Sequence, residues 1–249
     1  MRTIRCHVDA PLEPGSMVGL PEQARAHLQR VLRLRAGDAV VLFNGDGSDY
    51  PAELSGAGDR LAASILGRAP PTAPEAGLEL VLVQALARGE KMDWIIQKAT
   101  ELGVARIVPV VSVRSEVRLA GDRLDKRLVH WRRVASSACE QCGRARVPDI
   151  VAPQALHEVA DAGLATTRLV LHPDTQAGLP ALALRSSVAV AVGPEGGFDD
   201  IELAQLLRAG WLATRLGDRI LRTETAGLVA GAALLALAGE FGPDRPAQG

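Results

Sequence analysis

The 249-residue chain is long enough for one large domain or two modest ones of roughly 100–200 residues each. With 47% apolar and 23% charged residues it holds enough material for a packed core, which excludes wholesale disorder, while 3% aromatics excludes a stacking platform for single-stranded bases. The net charge of −1 excludes a uniformly basic nucleic-acid binder, but the charge is uneven: residues 78–150 carry 13 basic and 9 acidic side chains, residues 151–249 carry 7 and 11.

In chain order, residues 24–34 read as a short helix with Leu28, Val31 and Leu32 on one side, closed by Gly37-Asp38. Three strand-like runs follow, Val40–Phe43, Tyr50–Leu54 and Leu61–Leu66. Asn44-Gly45-Asp46-Gly47 and Ser55-Gly56-Ala57-Gly58-Asp59 separate them as hairpin turns. This is a small β-rich unit, read as a barrel over residues 1–73. Pro70-Pro71-Thr72-Ala73-Pro74 is stiff and cannot join a sheet interior, so it marks a domain boundary.

From residue 74 to 249 strands and helices alternate. Strands are predicted at Leu78–Ala85, Ile107–Val113, Arg168–Leu171, Val188–Val192 and Trp211–Leu216. Helices are predicted at Lys91–Leu102, Arg123–Cys142, Ile201–Ala209 and Thr225–Ala238, with Gly103, Gly143 and Gly210 as stops and Asp199 or Asp200 as a cap. Such alternation gives an α/β domain with a largely parallel sheet covered on both faces. The start of the chain lacks the apolar stretch of a signal peptide, and Ala226–Gly239 is too short to span a bilayer, so a cytoplasmic protein is expected. Three cysteines make no disulfide framework. Cys139-Glu140-Gln141-Cys142 sits near a helix end without further ligands at matching spacing, so neither redox chemistry nor a metal is expected.

Three loops fall at predicted carboxyl ends of strands, where open α/β sheets bind ligands. The first is Val192-Gly193-Pro194-Glu195-Gly196-Gly197-Phe198, whose glycines let backbone approach a ligand. It is neither a Walker loop nor the dinucleotide fingerprint, because no Lys-Ser/Thr follows and the spacing is wrong. The second runs from Leu216 to Ala226, where Arg219, Arg222 and Glu224 flank Ile220 and Leu221, an apolar pair expected to pack against something. The third is Leu171-His172-Pro173. Together the three loops would shape one pocket. A basic stretch from Arg114 to Arg146 holds nine cations against four carboxylates and reads either as a solvated helix or as a phosphate-binding face.

Taken in order, these segments resemble the RsmE family of 16S rRNA uridine-N3 methyltransferases, within the knotted SPOUT class. The resemblance rests on Arg30-Val31-Leu32-Arg33, on Gly89-Glu90-Lys91-Met92-Asp93 through Glu101-Leu102-Gly103-Val104, and on Glu140-Gln141-Cys142-Gly143-Arg144 with Val147-Pro148. Leu171-His172-Pro173, Gly193-Pro194-Glu195-Gly196-Gly197 and Leu216-Gly217 through Thr225 complete it. One departure is visible: the family tends to have Ser-Glu-Arg where this chain has Ser112-Val113-Arg114.

The resemblance implies a PUA-like RNA-binding barrel followed by a methyltransferase domain tied in a trefoil knot, a rare exception to the rule against threading. It implies S-adenosylmethionine as methyl donor, a homodimer, and a target uridine in the decoding region of the small-subunit rRNA. Carried onto this chain, the donor would contact Leu171, His172, Gly193, Glu195, Gly196, Leu216, Ile220, Leu221, Arg222 and Thr225, and bulk at Gly196 would occupy its space. Glu195 and Glu224 are candidate bases for the N3 proton, and Arg222, or Arg144 of a second subunit, a candidate stabiliser of the resulting anion. Glu224 could instead serve the positive end of the last helix. Arg30, Arg33, Lys91, Arg114, Arg132, Arg133 and Arg144 are candidate RNA contacts. The small residues Gly227, Ala230 and Gly231 share a face of the last helix and are expected to admit a second subunit. A 2′-O-ribose methyltransferase of the same class and a non-catalytic RNA-binding assembly factor are the alternatives.

Overall fold

The computed structural model describes residues 4–117, 120–179 and 186–241, which leaves Arg118 of the basic stretch outside the described residues. The chain forms two compact units, Met1–Glu75 with Ser136–Val147, and Ala76–Ala135 with Pro148–Gly249. The first unit ends within two residues of the expected division after residue 73 and also takes in Ser136–Val147, a return from far along the chain.

The first unit holds β1 (Arg5–His7), β2 (Met17–Gly19), α1 (Glu22–Ala26), β3 (Ala39–Phe43), β4 (Tyr50–Ser55) and β5 (Ala62–Ile65). They form a five-stranded sheet in the order β1-β3-β4-β5-β2, in which β1 runs parallel to β3 and the other pairs are antiparallel. Alternate residues Val40, Leu42, Ala52, Leu54, Ala63 and Ile65 pack with Leu20 and Leu28 into its core. The strands β1 and β2 are too short for their periodicity to show in the sequence. The expected helix over 24–34 is instead α1 running into a wider π-helical turn, His27–Val31. That turn rotates the apolar stripe off the core: Leu28 is buried, Val31 is 65% exposed, and Arg33 takes a left-handed backbone with φ of 57°.

The second unit is built on a sheet parallel throughout. Its strands are β6 (Glu79–Ala85), β7 (Arg106–Val111), β8 (Asp149–Ile150), β9 (Gln154–Ala155), β10 (Thr167–Leu171), β11 (Ser187–Val192) and β12 (Leu212–Thr214). The order is β12-β10-β11-β6-β7-β8, with β9 also pairing with β7. The helices are α2 (Lys91–Glu101), α3 (Asp122–Cys142), whose residues from Ser136 onward belong to the first unit, α4 (Leu156–Ala160), α5 (Asp200–Arg208) and α6 (Thr223–Leu237). The short β8, β9 and α4 carry no pattern the sequence reading could separate from loop.

Period-two alternation divides the central strands between two layers. Val81, Val83, Ala85, Ala189 and Ala191 pack with Val159 of α4 and Leu206 of α5. Leu80, Leu82, Gln84 and Val192 turn to the other face, where Gly227 and Gly231 of α6 lie against Leu82, Val192 and Leu80. The small face of α6 is therefore filled by its own sheet, and Ala230 and Leu234 are fully buried there. The expectation that this face admits a second subunit is corrected: removing side chains lets the helix approach β6 and β11, not another chain.

Helix ends follow local rules. Gly103, Gly143 and Gly210 have φ near +90°, as a stop in left-handed backbone requires. Asp199 caps α5 by accepting from the Glu202 N–H, and Glu202 accepts in return from the Asp199 N–H, a complete capping box.

Candidate active site

Parallel strands place every following loop at one edge of the sheet. The loops after β10, β11 and β12 there enclose a cavity of about 780 Å³, lined by Leu171–Asp174, Val192–Gly197 and Thr214–Glu224, with Lys91 and Ala226. The loops are tied to one another. The His172 N–H donates to Thr214 O at 3.0 Å, the Arg215 N–H to Ala177 O at 2.7 Å, and the Thr223 hydroxyl to Gly193 O at 2.6 Å.

Backbone geometry explains the glycines. A Cβ on Gly193 would lie 2.8 Å from the Phe198 nitrogen and 3.0 Å from the Gly197 carbonyl carbon, so only glycine closes this turn. Gly197 has φ of 70°. At Gly196 a Cβ would instead touch the aliphatic stem of Arg114 at ordinary contact distance, so bulk there points away from the cavity. Arg114 braces the loop from behind by donating to Gly196 O at 2.8 Å.

Two candidate carboxylates converge on one ammonium. Lys91 Nζ is 2.9 Å from Glu195 Oε1 and 3.2 Å from Glu224 Oε2. Burial raises the Glu195 pKa, but hydrogen bonds from Lys91 and from backbone N–H groups outweigh it and hold the carboxyl below its ordinary range. The bond to Glu195 pushes the Lys91 pKa above its ordinary value; desolvation opposes this and Glu224 reinforces it.

Of the expected donor contacts, Leu171, His172, Gly193, Glu195, Gly196, Leu216, Ile220, Leu221 and Arg222 line the cavity. Thr225 does not; its N–H donates to Arg222 O within the first turn of α6. Ile220 lines the cavity but is 86% exposed, so it lacks the packing expected of it among the described residues. His172 Nδ1 accepts from the Asp174 N–H in its own turn.

The candidate RNA contacts scatter. Arg30 and Arg33 are exposed on the first unit, and Arg132 and Arg133 on α3, where Arg132 also donates to Ile150 O at 3.1 Å. Lys91 belongs to the cavity. Arg144 is buried, its Nε donating to both Glu75 oxygens at 3.1 and 3.2 Å, so neither of its expected roles has an available guanidinium. Val113 is exposed, and its N–H donates to Glu202 Oε1 at 2.9 Å.

Sequence reasoning assigned Lys91 to RNA and overlooked Gln84 and Thr223. The missed signal was position: Lys91 opens α2 at the end of the loop that follows β6, a central strand, and so lies at the same edge. Among the described residues no group of side chains could hold a metal ion, and no helix is long and apolar enough to cross a membrane.

Comparison with known proteins agrees with this geometry. Residues 74–235 match an RNA methyltransferase domain and residues 20–66 an RNA methyltransferase PUA domain. The ribosomal RNA small subunit methyltransferase E of Mycobacterium bovis is 35% identical over 237 residues, covering 90% of this chain and 88% of its own. A crystal structure of that enzyme from Neisseria gonorrhoeae, bound to S-adenosyl methionine, superposes with a TM-score of 0.87 at 36% identity, over 95% of this chain and 98% of the other. A structure from Legionella pneumophila with SAM bound gives a TM-score of 0.89 at 33% identity, with the same coverage.

Proposed function

Because the chain belongs to the ribosomal RNA small subunit methyltransferase E family, we propose that it methylates N3 of one uridine in the decoding region of 16S rRNA, with S-adenosylmethionine bound in the cavity. The observation that carries this reading is the convergence, at one sheet edge, of the glycine loop, the Leu216–Glu224 segment and the Lys91–Glu195–Glu224 cluster.

The residues fit that donor. The cavity lies within the range of roughly 300–1,000 Å³ usual for small-molecule sites. Its glycine wall has space for backbone approach, and Leu171, Val192, Ile220 and Leu221 offer apolar surface to a purine. The bound donor supplies a methyl group activated on sulfonium. The chain positions the two reactants and deals with charge. Uridine N3 becomes a competent nucleophile when it loses its proton, and a carboxylate of the cluster accepts it. Glu195 is engaged by the Lys91 ammonium, whereas Glu224 Oε2 is buried without a hydrogen-bond partner among the described residues, which favours Glu224 as the base. Negative charge then spreads onto the two carbonyl oxygens of the base, and Lys91, paired with those carboxylates, and Arg222 are among the cations lining the cavity that can stabilise it.

Arg30 and Arg33, exposed around the π-helical turn, are proposed as RNA contacts, as are Arg132 and Arg133. Arg144 has no part in the proposal. A homodimer is supported by the exposed apolar residues Trp94 on α2 and Val229 and Leu237 on α6. Closure of the five-stranded sheet into a barrel, and passage of the C-terminal chain through a loop as a trefoil knot, belong to the same proposal.

The test is incubation of the protein with methyl-labelled S-adenosylmethionine and small subunits lacking the modification, then nucleoside analysis by mass spectrometry. One 3-methyluridine per 16S rRNA is expected; a 2′-O-methylated nucleoside, or no transfer, overturns the reading.

A further inference from the structure

Gln84 is a fully buried amide near the carboxyl end of the parallel strand β6, between apolar Val83 and Ala85. Its Oε1 has no hydrogen-bond partner among the described residues, so its stability would gain from an apolar side chain of the same size. What the amide does make is directional. Nε2 donates to Ala85 O at 3.1 Å and to Thr223 Oγ1 at 3.0 Å. The Thr223 hydroxyl, with an acceptor lone pair engaged, donates its proton to Gly193 O at 2.6 Å. Thr223 is the first residue of α6, yet its side chain caps nothing in its own helix, and Arg222 at the cap position makes no side-chain cap bond either.

Three elements therefore meet in one chain of hydrogen bonds: strand β6, the start of helix α6 and the first residue of the glycine loop. Gly193 is also the residue whose missing Cβ lets that loop fold back on Phe198. Fixing its carbonyl fixes the peptide plane from which the loop departs.

We propose that Gln84 and Thr223 are positioning residues that lock the Gly193 carbonyl and so preorganise the backbone of Gly193–Gly197 for ligand binding. That the ligand is S-adenosylmethionine rests on the function proposed above; the lock itself does not. Preorganisation of this kind raises affinity by removing the ordering cost at binding.

The test pairs amide hydrogen exchange of residues 193–198, measured without ligand, with calorimetric affinity for S-adenosylmethionine. Thr223→Val keeps the shape and removes the hydroxyl. It is expected to speed exchange in the loop, and to weaken binding, each about ten-fold. Thr223→Ser keeps the hydroxyl and should restore both to within about two-fold of the starting protein. Gln84→Met reads the same link from its other end, and adding it to Thr223→Val should add little, because one chain is broken once. Unchanged loop exchange in folded Thr223→Val or Gln84→Met overturns the proposal, as does unchanged affinity. Failure of the unsubstituted protein to bind S-adenosylmethionine would overturn the assigned ligand, while the exchange rates would still decide the lock.

Discussion

Lys91 and Glu195 form an ion pair inside the cavity, Nζ to Oε1 at 2.9 Å, with Glu224 as a second carboxylate 3.2 Å from the same nitrogen. The pairing has a defined pH window. The Glu195 pKa is depressed, so its contribution is present above the ordinary carboxylate range and is lost as pH falls through the depressed value. The Lys91 pKa is raised, so its contribution holds below the ordinary lysine range and is lost as pH rises through the raised value. The Lys91–Glu195 pair is intact across neutral pH. Lys91→Met removes the charge that keeps Glu195 ionised and leaves two carboxylates facing one site. The Glu195 pKa is expected to rise, because the largest lowering influence on it, the Lys91 hydrogen bond, is gone. Carbon-13 NMR titration of labelled Glu195 checks this.

The glycine loop discriminates between its own glycines. Gly193→Ala puts a methyl 2.8 Å from a backbone nitrogen that cannot move without reshaping the turn. Gly196→Ala meets only the flexible stem of Arg114 at 3.4 Å. S-adenosylmethionine affinity is expected to fall at least about ten-fold in the first and to stay within about three-fold in the second. Calorimetry on the two folded variants decides it; equal losses would mean that the space beside Gly196 belongs to the ligand after all.

Much of this site was legible because parallel sheets obey a positional rule. Apolar runs ending at Leu171 and Val192, each followed by Pro or Gly, mark strand ends, and strand ends share an edge. Charge was less legible. Lys91 counted as one more cation in a basic region, because nothing local distinguishes a lysine facing phosphate from one facing Glu195 and Glu224, which lie more than a hundred residues away. Arg144 misled for the same reason: its partner Glu75 is distant in sequence. The π-helical turn was invisible because His27–Val31 has ordinary helix composition, and the wider turn shows only in where Val31 and Arg33 point.

RNA affinity separates the exposed arginines from the buried one. Arg30→Glu with Arg33→Glu reverses two exposed charges and should weaken rRNA binding about ten-fold or more, with a shallower dependence on salt as fewer counterions are released. Arg144→Ala should act through stability instead. It strips Glu75 of a bidentate partner with 5% side-chain exposure, at a cost of about 2 kcal/mol once the partial exposure of Glu75 is allowed for. Filter binding over a salt series, beside urea unfolding, distinguishes the two: a salt-dependent binding defect in stable Arg144→Ala would contradict the buried assignment.

Two glycines on one face of α6 should respond to alanine with opposite signs. Alanine favours a helix interior over glycine by about 1 kcal/mol, and that gain is common to both. At Gly231 the added methyl would lie 3.8 Å from Leu80 Cδ1, an ordinary contact, so the helix term stands and Gly231→Ala should stabilise by about 0.5–1 kcal/mol. At Gly227 the methyl would lie 2.9 Å from Leu82 Cδ1 and 3.2 Å from Val192 Cγ2. The leucine end can turn aside, but the β-branched valine is stiff and buried at the end of β11, a central strand. Overpacking of this kind costs about 1–3 kcal/mol, which exceeds the helix gain, so Gly227→Ala should destabilise by about 1 kcal/mol. Urea unfolding of both variants gives the signs directly. Ala230→Arg, at a fully buried position between them, should fail to fold rather than yield a folded monomer. A soluble, native-like Ala230→Arg chain would mean that this face meets something more yielding than its own sheet.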